Sequence, residues 1–132
     1  MKITQLLSEH KFFFLAIFWT ILITTLSLIT IERVPSFAIK LQHKDKVVHF
    51  VFYFVFVIAW NLSLMQKIKK FKVKVLSIAI VYGIVIEVLQ YVLTENRTAD
   101  FFDVLANSLG AILAFVLFPF IMGIFSKAEI KN

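Results

Sequence analysis

Residues 75–93 read VLSIAIVYGIVIEVLQYVL, a run of 19 residues in which Glu87 is the only charged side chain. A helix needs about 20 consecutive apolar residues to cross the roughly 30 Å hydrocarbon core of a bilayer. Three further apolar runs of similar length occupy residues 12–31, 47–65 and 104–125. The pattern predicts an all-α protein, in which residues 1–132 form a single domain built as a four-helix transmembrane bundle.

The composition supports a membrane protein and excludes several other classes. Hydrophobic residues make up 61% of the chain, whereas a soluble domain is about half apolar, so the excess is expected to face a lipid bilayer. No cysteine is present, which excludes a disulfide, a thiolate metal ligand and a cysteine nucleophile within the chain. The net charge of +6 does not indicate nucleic acid, because the basic residues flank the apolar runs instead of forming a soluble basic module.

The first apolar run is predicted to be a retained spanning helix. It follows Lys2 and Lys11, as the apolar part of a signal peptide follows its charged start. However, a signal peptide has only about 7–15 apolar residues before a cleavage site with small side chains. The run at residues 12–31 is longer, and the residues that follow it are Glu32, Arg33, Val34 and Pro35.

The basic residues of the short connections predict an orientation, because loops rich in Lys and Arg stay in the cytoplasm. The N-terminal flank, the second connection and the C-terminal tail hold nine such residues, and the first and third connections hold five. We therefore expect both termini in the cytoplasm and the first and third connections outside. The nine are Lys2, Lys11, Lys67, Lys69, Lys70, Lys72, Lys74, Lys127 and Lys131; the five are Arg33, Lys40, Lys44, Lys46 and Arg97.

Polar side chains interrupt three of the apolar runs near their outer ends. They recur at helical spacing, so that each helix carries one polar stripe. The stripes are Lys46, His49 and Tyr53; Gly83, Glu87 and Gln90; and Asp100, Asp103 and Asn107, continued by Gly110 and Ala111. Unsatisfied polar groups in hydrocarbon cost several kcal/mol each, so the three stripes are expected to meet inside the bundle. Asn61 and Ser63, near the cytoplasmic end of the second helix, are expected to bond locally.

Two further features refine this picture. Asp100 or Asp103 suits the N-terminus of the fourth helix, where a carboxylate caps backbone N–H groups and complements the helix dipole. Small residues such as Gly83 and Gly110 allow helix backbones to approach closely. The polar stripes and the small residues share the same helix faces, so a tightly packed polar cluster is predicted at the outer end of the bundle.

Three sequence motifs resemble those of the VanZ-like membrane proteins of bacteria. Residues 45–50 read DKVVHF, residues 83–90 read GIVIEVLQ and residues 97–110 read RTADFFDVLANSLG. The last two resemble the patterns G-x-x-x-E-x-x-Q and R-x-x-D-x-x-D-x-x-x-N-x-x-G. The resemblance implies a multi-pass protein of the bacterial cell (inner) membrane. The family is named for a member that lowers susceptibility to the glycopeptide antibiotic teicoplanin.

The cluster supports more than one functional interpretation. Its candidate ligand-binding residues are Lys46, His49, Glu87, Gln90, Arg97, Asp100, Asp103 and Asn107. Lys46 and Arg97 are suited to a phosphate, and a lipid-linked cell-wall precursor or a lipoglycopeptide is the expected kind of partner. A membrane enzyme with His49 and Glu87 as acid and base, and a purely structural clamp between helices, remain alternatives.

Metal-assisted chemistry is a further alternative for this cluster. It would use His49, Glu87, Asp100 and Asp103, since hard cations prefer carboxylate ligands. No metal site is assigned from the sequence, and no particular cofactor is predicted.

Overall fold

The computed structural model of the chain describes residues 3–29, 44–65, 69–94 and 99–130. Four helices account for nearly all of them: α1 (Ile3–Leu28), α2 (Lys44–Leu64), α3 (Phe71–Leu93) and α4 (Phe101–Ile130). No strand occurs within these ranges. The predicted all-α class and the four helices are confirmed.

The helices and the apolar runs do not share the same ends. All four helices begin before the predicted apolar runs, and α4 also continues past its run to Ile130. The segments long and apolar enough to cross a membrane are His10–Leu28, Asp45–Leu64, Phe71–Leu93 and Phe101–Ile124. α4 begins after Asp100, whose Oδ1 accepts a hydrogen bond of 2.8 Å from the backbone N–H of Phe102. Asp100 is therefore the N-cap of α4, and it is one of the two residues that the sequence offered for this position.

The second helix lies at the centre of the bundle. α2 packs against α1, α3 and α4, and its most extensive contact is with α4. Within the described residues, the backbones of α1 and α4 are not close neighbours. Side-chain contacts place the starts of α2 and α4 beside the ends of α1 and α3. We call this end of the bundle the polar end, because the residues of the three predicted stripes gather there.

Small residues bring α2 and α4 into close contact. A Cβ atom built on Gly110 would lie 2.1 Å from the backbone oxygen of Phe50, so only glycine fits at this crossing. Ala111 and Ala114 continue the same face of α4 and are fully buried. Such a seam of small residues is a common way for membrane helices to pack, because close backbone approach increases van der Waals contact.

The outer faces of the helices are apolar and exposed. Val92, Phe101 and Ile124 each expose about two thirds or more of their side chains, and many other large apolar residues share this orientation. The interior holds a smaller set of buried side chains, with Tyr53, Phe56 and Val57 of α2 at its centre. Apolar groups on the outside and polar groups within are the arrangement that a lipid environment requires.

Candidate functional site

Lys46 connects the start of α2 to the start of α4. Its Nζ donates hydrogen bonds of 2.6 Å to Asp100 Oδ2 and 2.8 Å to Asp103 Oδ1. The hydrogen bond from Lys46 holds the pKa of the Asp100 carboxyl below its ordinary value, and the Phe102 backbone N–H acts in the same direction. The ammonium group that the sequence suggested for a phosphate is thus shared between two carboxylates.

His49 lies one turn deeper and is almost fully buried. Its Nδ1 is 3.1 Å from Asn107 Oδ1, which joins α2 to α4 a second time. On the other side of the ring, Nε2 is 3.7 Å from Asp45 Oδ1 and 3.8 Å from Asp103 Oδ2. These two distances exceed those of hydrogen bonds, so the ring nitrogen faces two carboxylate oxygens without bonding directly to either.

Glu87 of α3 points into the bundle, as its place on the polar stripe predicted. Only 4% of the residue is exposed, and its Oε1 has no hydrogen-bond partner. The carboxyl group faces the backbone N–H of Asp100 and interacts electrostatically with Asp103 and His49. Glu87 therefore belongs to the same cluster as the polar residues of α2 and α4.

Two more buried polar atoms close to Glu87 lack partners. They are Tyr53 Oη and Asn107 Nδ2. A Cβ atom built on Gly83 would lie 3.2 Å from the Tyr53 ring and 3.3 Å from Asn107 Nδ2, so both side chains pack directly over this glycine. Three helices thus each direct one unpaired polar group into the interior near the polar end.

Gln90 connects α3 to α1 instead of to α2 or α4. Its Nε2 donates a hydrogen bond of 2.7 Å to the backbone oxygen of Ser27. Further from the polar end, Thr24 Oγ1 and Tyr82 Oη are 2.6 Å apart and join the same two helices. A polar stripe on α1 was not predicted, although Thr20, Thr24 and Ser27 follow the spacing i, i+4, i+7, which is a helical spacing like that of the other three stripes.

Three further observations complete the comparison with the sequence. Arg97 lies outside the described residues. Asp45, not predicted as a site residue, lies beside His49 because the two are four residues apart on α2. The expected local bonding of Asn61 and Ser63 is wrong, since neither side chain has a hydrogen-bond partner although both are buried. Both side chains are instead packed inside the bundle.

Comparison with known proteins identifies a family but no characterised relative. The family model described as VanZ/LLP1 matches residues 5–123, which include all three motifs and every residue of the cluster. No curated protein and no solved structure matches the chain.

Proposed function

The chain belongs to the VanZ/LLP1 family, and from this premise we propose that its polar end binds the head group of an amphiphilic cell-envelope ligand. A lipid-linked cell-wall precursor and a lipoglycopeptide such as teicoplanin are ligands of this class. Binding would modulate the envelope or the susceptibility of the cell to the antibiotic. The protein would act in the bacterial inner membrane, with both termini in the cytoplasm and the polar end facing outward.

The unpaired buried atoms of the cluster carry this proposal. Buried polar groups are nearly always hydrogen-bonded, and an unsatisfied group costs several kcal/mol in hydrocarbon. Glu87 Oε1, Asn107 Nδ2 and Tyr53 Oη lack partners, whereas a cluster that served only to clamp helices would be expected to satisfy its own members. A ligand head group would supply the missing donors and acceptors.

The exposure of the cluster also suits a ligand that sits at the membrane surface. The side chains of Lys46 and Asp100 are 31% and 40% exposed, while His49 and Glu87 are buried below them. A charged head group can therefore meet Lys46 first, and its acyl chains can remain beside the apolar outer faces of the helices.

We expect a polyprenyl phosphate to stabilise the protein more than the corresponding polyprenol. The two lipids share their hydrocarbon chain, so the difference isolates the phosphate. A ligand present at about a hundred times its Kd adds about 2.7 kcal/mol to the stability of the folded state. The measurement is the melting temperature in nanodiscs of phosphatidylcholine with each lipid added.

Variants locate the interaction within the cluster. Lys46→Gln and Arg97→Lys should reduce the stabilisation by phosphate, the second because lysine lacks the planar fork needed for bidentate contact. Equal stabilisation by the phosphate and the alcohol would mean that the hydrocarbon chain alone is bound and that the cluster is not the site.

The lysine asymmetry provides a test of the orientation. Alkaline phosphatase, which is active only outside the cytoplasm, should be inactive when fused after Asn132. The same enzyme inserted after Lys40, in the first connection, should be active. The reverse result would place the polar end in the cytoplasm and remove the outward-facing ligand from the proposal.

A second candidate function, catalysis on the same class of ligand, is supported by the orientation of His49. Asn107 holds one ring nitrogen, and the other faces Asp103 at 3.8 Å, an arrangement suited to a general acid or base. Mass spectrometry of the lipid recovered from the nanodiscs distinguishes the two functions. An unchanged mass supports binding alone, and a product that disappears in His49→Ala supports catalysis.

A further inference from the structure

We infer that Asp45, His49 and Asp103 form a binding site for a divalent transition-metal ion at the polar end. Each residue offers one ligand atom, and the three atoms lie within 4.8 Å of one another. Ligands bound at about 2.0–2.2 Å to one zinc ion are separated by roughly 3.3–3.5 Å at tetrahedral angles. The observed separations of 3.7 and 3.8 Å from His49 Nε2 need to close by only a few tenths of an ångström.

The hydrogen bonding of His49 suits a metal ligand. A metal-bound histidine usually donates its other ring N–H to an oxygen acceptor, which fixes the ring and its tautomer. Here Nδ1 is 3.1 Å from Asn107 Oδ1, so a proton on Nδ1 completes that bond. Nε2 then directs its lone pair toward two carboxylate oxygens, which are also electron-rich. A cation between the three atoms removes the repulsion that this arrangement would otherwise produce.

The buried carboxyl group of Glu87 is a second and independent indication. Glu87 belongs to α3, and only 4% of the residue is exposed. Its Oε1 atom has no hydrogen-bond partner. It also interacts electrostatically with both His49 and Asp103. A carboxyl oxygen left without a hydrogen-bond donor, on a side chain that interacts with a histidine and a second carboxylate, is explained by a cation that all of them attract.

The charge of the cluster points in the same direction. Among the side chains that the structure describes, four carboxyl groups gather at the polar end, and the ammonium group of Lys46 is hydrogen-bonded to two of them. The four are Asp45, Glu87, Asp100 and Asp103. Carboxylates that are partly shielded from water attract a cation more strongly than exposed ones do.

The ligand types narrow the choice of ion. Imidazole favours zinc, copper, iron or nickel, and carboxylates favour magnesium, calcium or manganese. One imidazole with several carboxylates lies between these groups, so Zn²⁺ and Mn²⁺ are the expected ions. Mg²⁺ and Ca²⁺, which prefer sites built of oxygen alone, should bind more weakly.

The inference does not depend on the proposed lipid ligand, and metal alone tests it. Tag-free protein in detergent is first stripped with a chelator and then titrated at pH 7.5. Binding of Zn²⁺ is followed by calorimetry, and binding of Mn²⁺ by loss of the electron paramagnetic resonance signal of the free ion. We expect one bound ion per chain and weaker binding of Mg²⁺ and Ca²⁺.

Matched substitutions test the identity of the ligands. Asp45→Asn should weaken Zn²⁺ binding at least about tenfold, the smallest loss typical even for residues that only support a metal ligand. The side chain of Asp45 is 63% exposed, so this variant should fold normally. Asp100→Asn, the same change in a carboxylate that pairs with Lys46 and is not one of the three ligand residues, should have a much smaller effect. His49→Gln should abolish binding.

The inference is overturned if the wild-type protein binds no Zn²⁺, since His49 would then be an ordinary partner of its two carboxylates. Equal losses in Asp45→Asn and Asp100→Asn would also overturn it, because diffuse charge attraction explains equal losses. Repeating the polyprenyl phosphate experiment with chelator present separates the two proposals. Stabilisation by phosphate without metal would leave the lipid proposal intact even if no metal binds.

Discussion

Replacing Gly110 with alanine should destabilise the protein by about 3 kcal/mol or more, the largest effect on folding that we expect from a single added methyl group. Inserting methyl groups into a packed interior typically costs about 1–3 kcal/mol. The new Cβ would lie 2.1 Å from the Phe50 backbone oxygen and 2.9 Å from its carbonyl carbon. Backbone atoms cannot rotate away as a side chain can, so α2 and α4 must move apart.

Two other glycines provide matched comparisons for this prediction. Gly123 lies on the same helix, and a Cβ atom there would meet nothing within 4 Å. Gly123→Ala should therefore be neutral or stabilising by up to about 1 kcal/mol, since alanine favours helix more than glycine does. Gly83→Ala should fall between the two, because the Tyr53 ring and the Asn107 side chain need to move by only a few tenths of an ångström.

Reversible unfolding in mixed micelles of mild detergent and sodium dodecyl sulfate measures all three variants on one scale. The expected order of stability is Gly123→Ala, Gly83→Ala and Gly110→Ala, from highest to lowest. Equal stability of Gly110→Ala and Gly123→Ala would show that α2 and α4 do not cross as closely as the structure places them.

Replacing Glu87 with glutamine should weaken ligand binding by about tenfold to a hundredfold without destabilising the protein. Glutamine keeps the shape of the side chain and one oxygen acceptor but removes the charge. Hydrogen bonds to charged groups are worth about 1.5–3 kcal/mol, and about 1.4 kcal/mol corresponds to a tenfold change in affinity. Folding should be unchanged or favoured, because a neutral amide is less costly to bury than a carboxylate with one unpaired oxygen.

Gln90→Leu is the matched control for Glu87→Gln, one turn further along the same helix. It removes the hydrogen bond to Ser27 and should cost about 0.6 kcal/mol, the average for such bonds in membranes. It should leave ligand binding unchanged, since Gln90 contacts α1. The measurements are the melting temperature and the stabilisation by polyprenyl phosphate and by Zn²⁺.

The opposite outcome would favour the structural clamp. If Glu87→Gln, His49→Ala and Arg97→Lys all retain wild-type ligand binding with normal insertion, the cluster serves only to hold helices together. The main role of the cluster would then be to join α2 to α4 through the hydrogen bonds from Lys46 to Asp100 and Asp103.

The sequence alone determined the four helices and the faces that carry the polar stripes. Long apolar runs predict spanning helices, because a lipid bilayer admits only helices or closed barrels as spanning structures. The helical period then places His49, Glu87 and Asn107 on inward faces, where the structure finds all three buried. These properties depend on local spacing and on the solvent, and both can be read from a linear chain.

Only the tertiary structure decided which polar groups meet. Helical spacing placed Gln90 and Glu87 on one stripe, yet Gln90 contacts α1 and Glu87 faces α2 and α4. Asp45 became a candidate ligand only when the fold placed Asp103 beside the same ring nitrogen of His49. The close crossing at Gly110 sets the separation of α2 and α4 and thereby the distances between these groups. Periodicity specifies the face of a helix, but the partner across that face depends on how whole helices are rotated and packed.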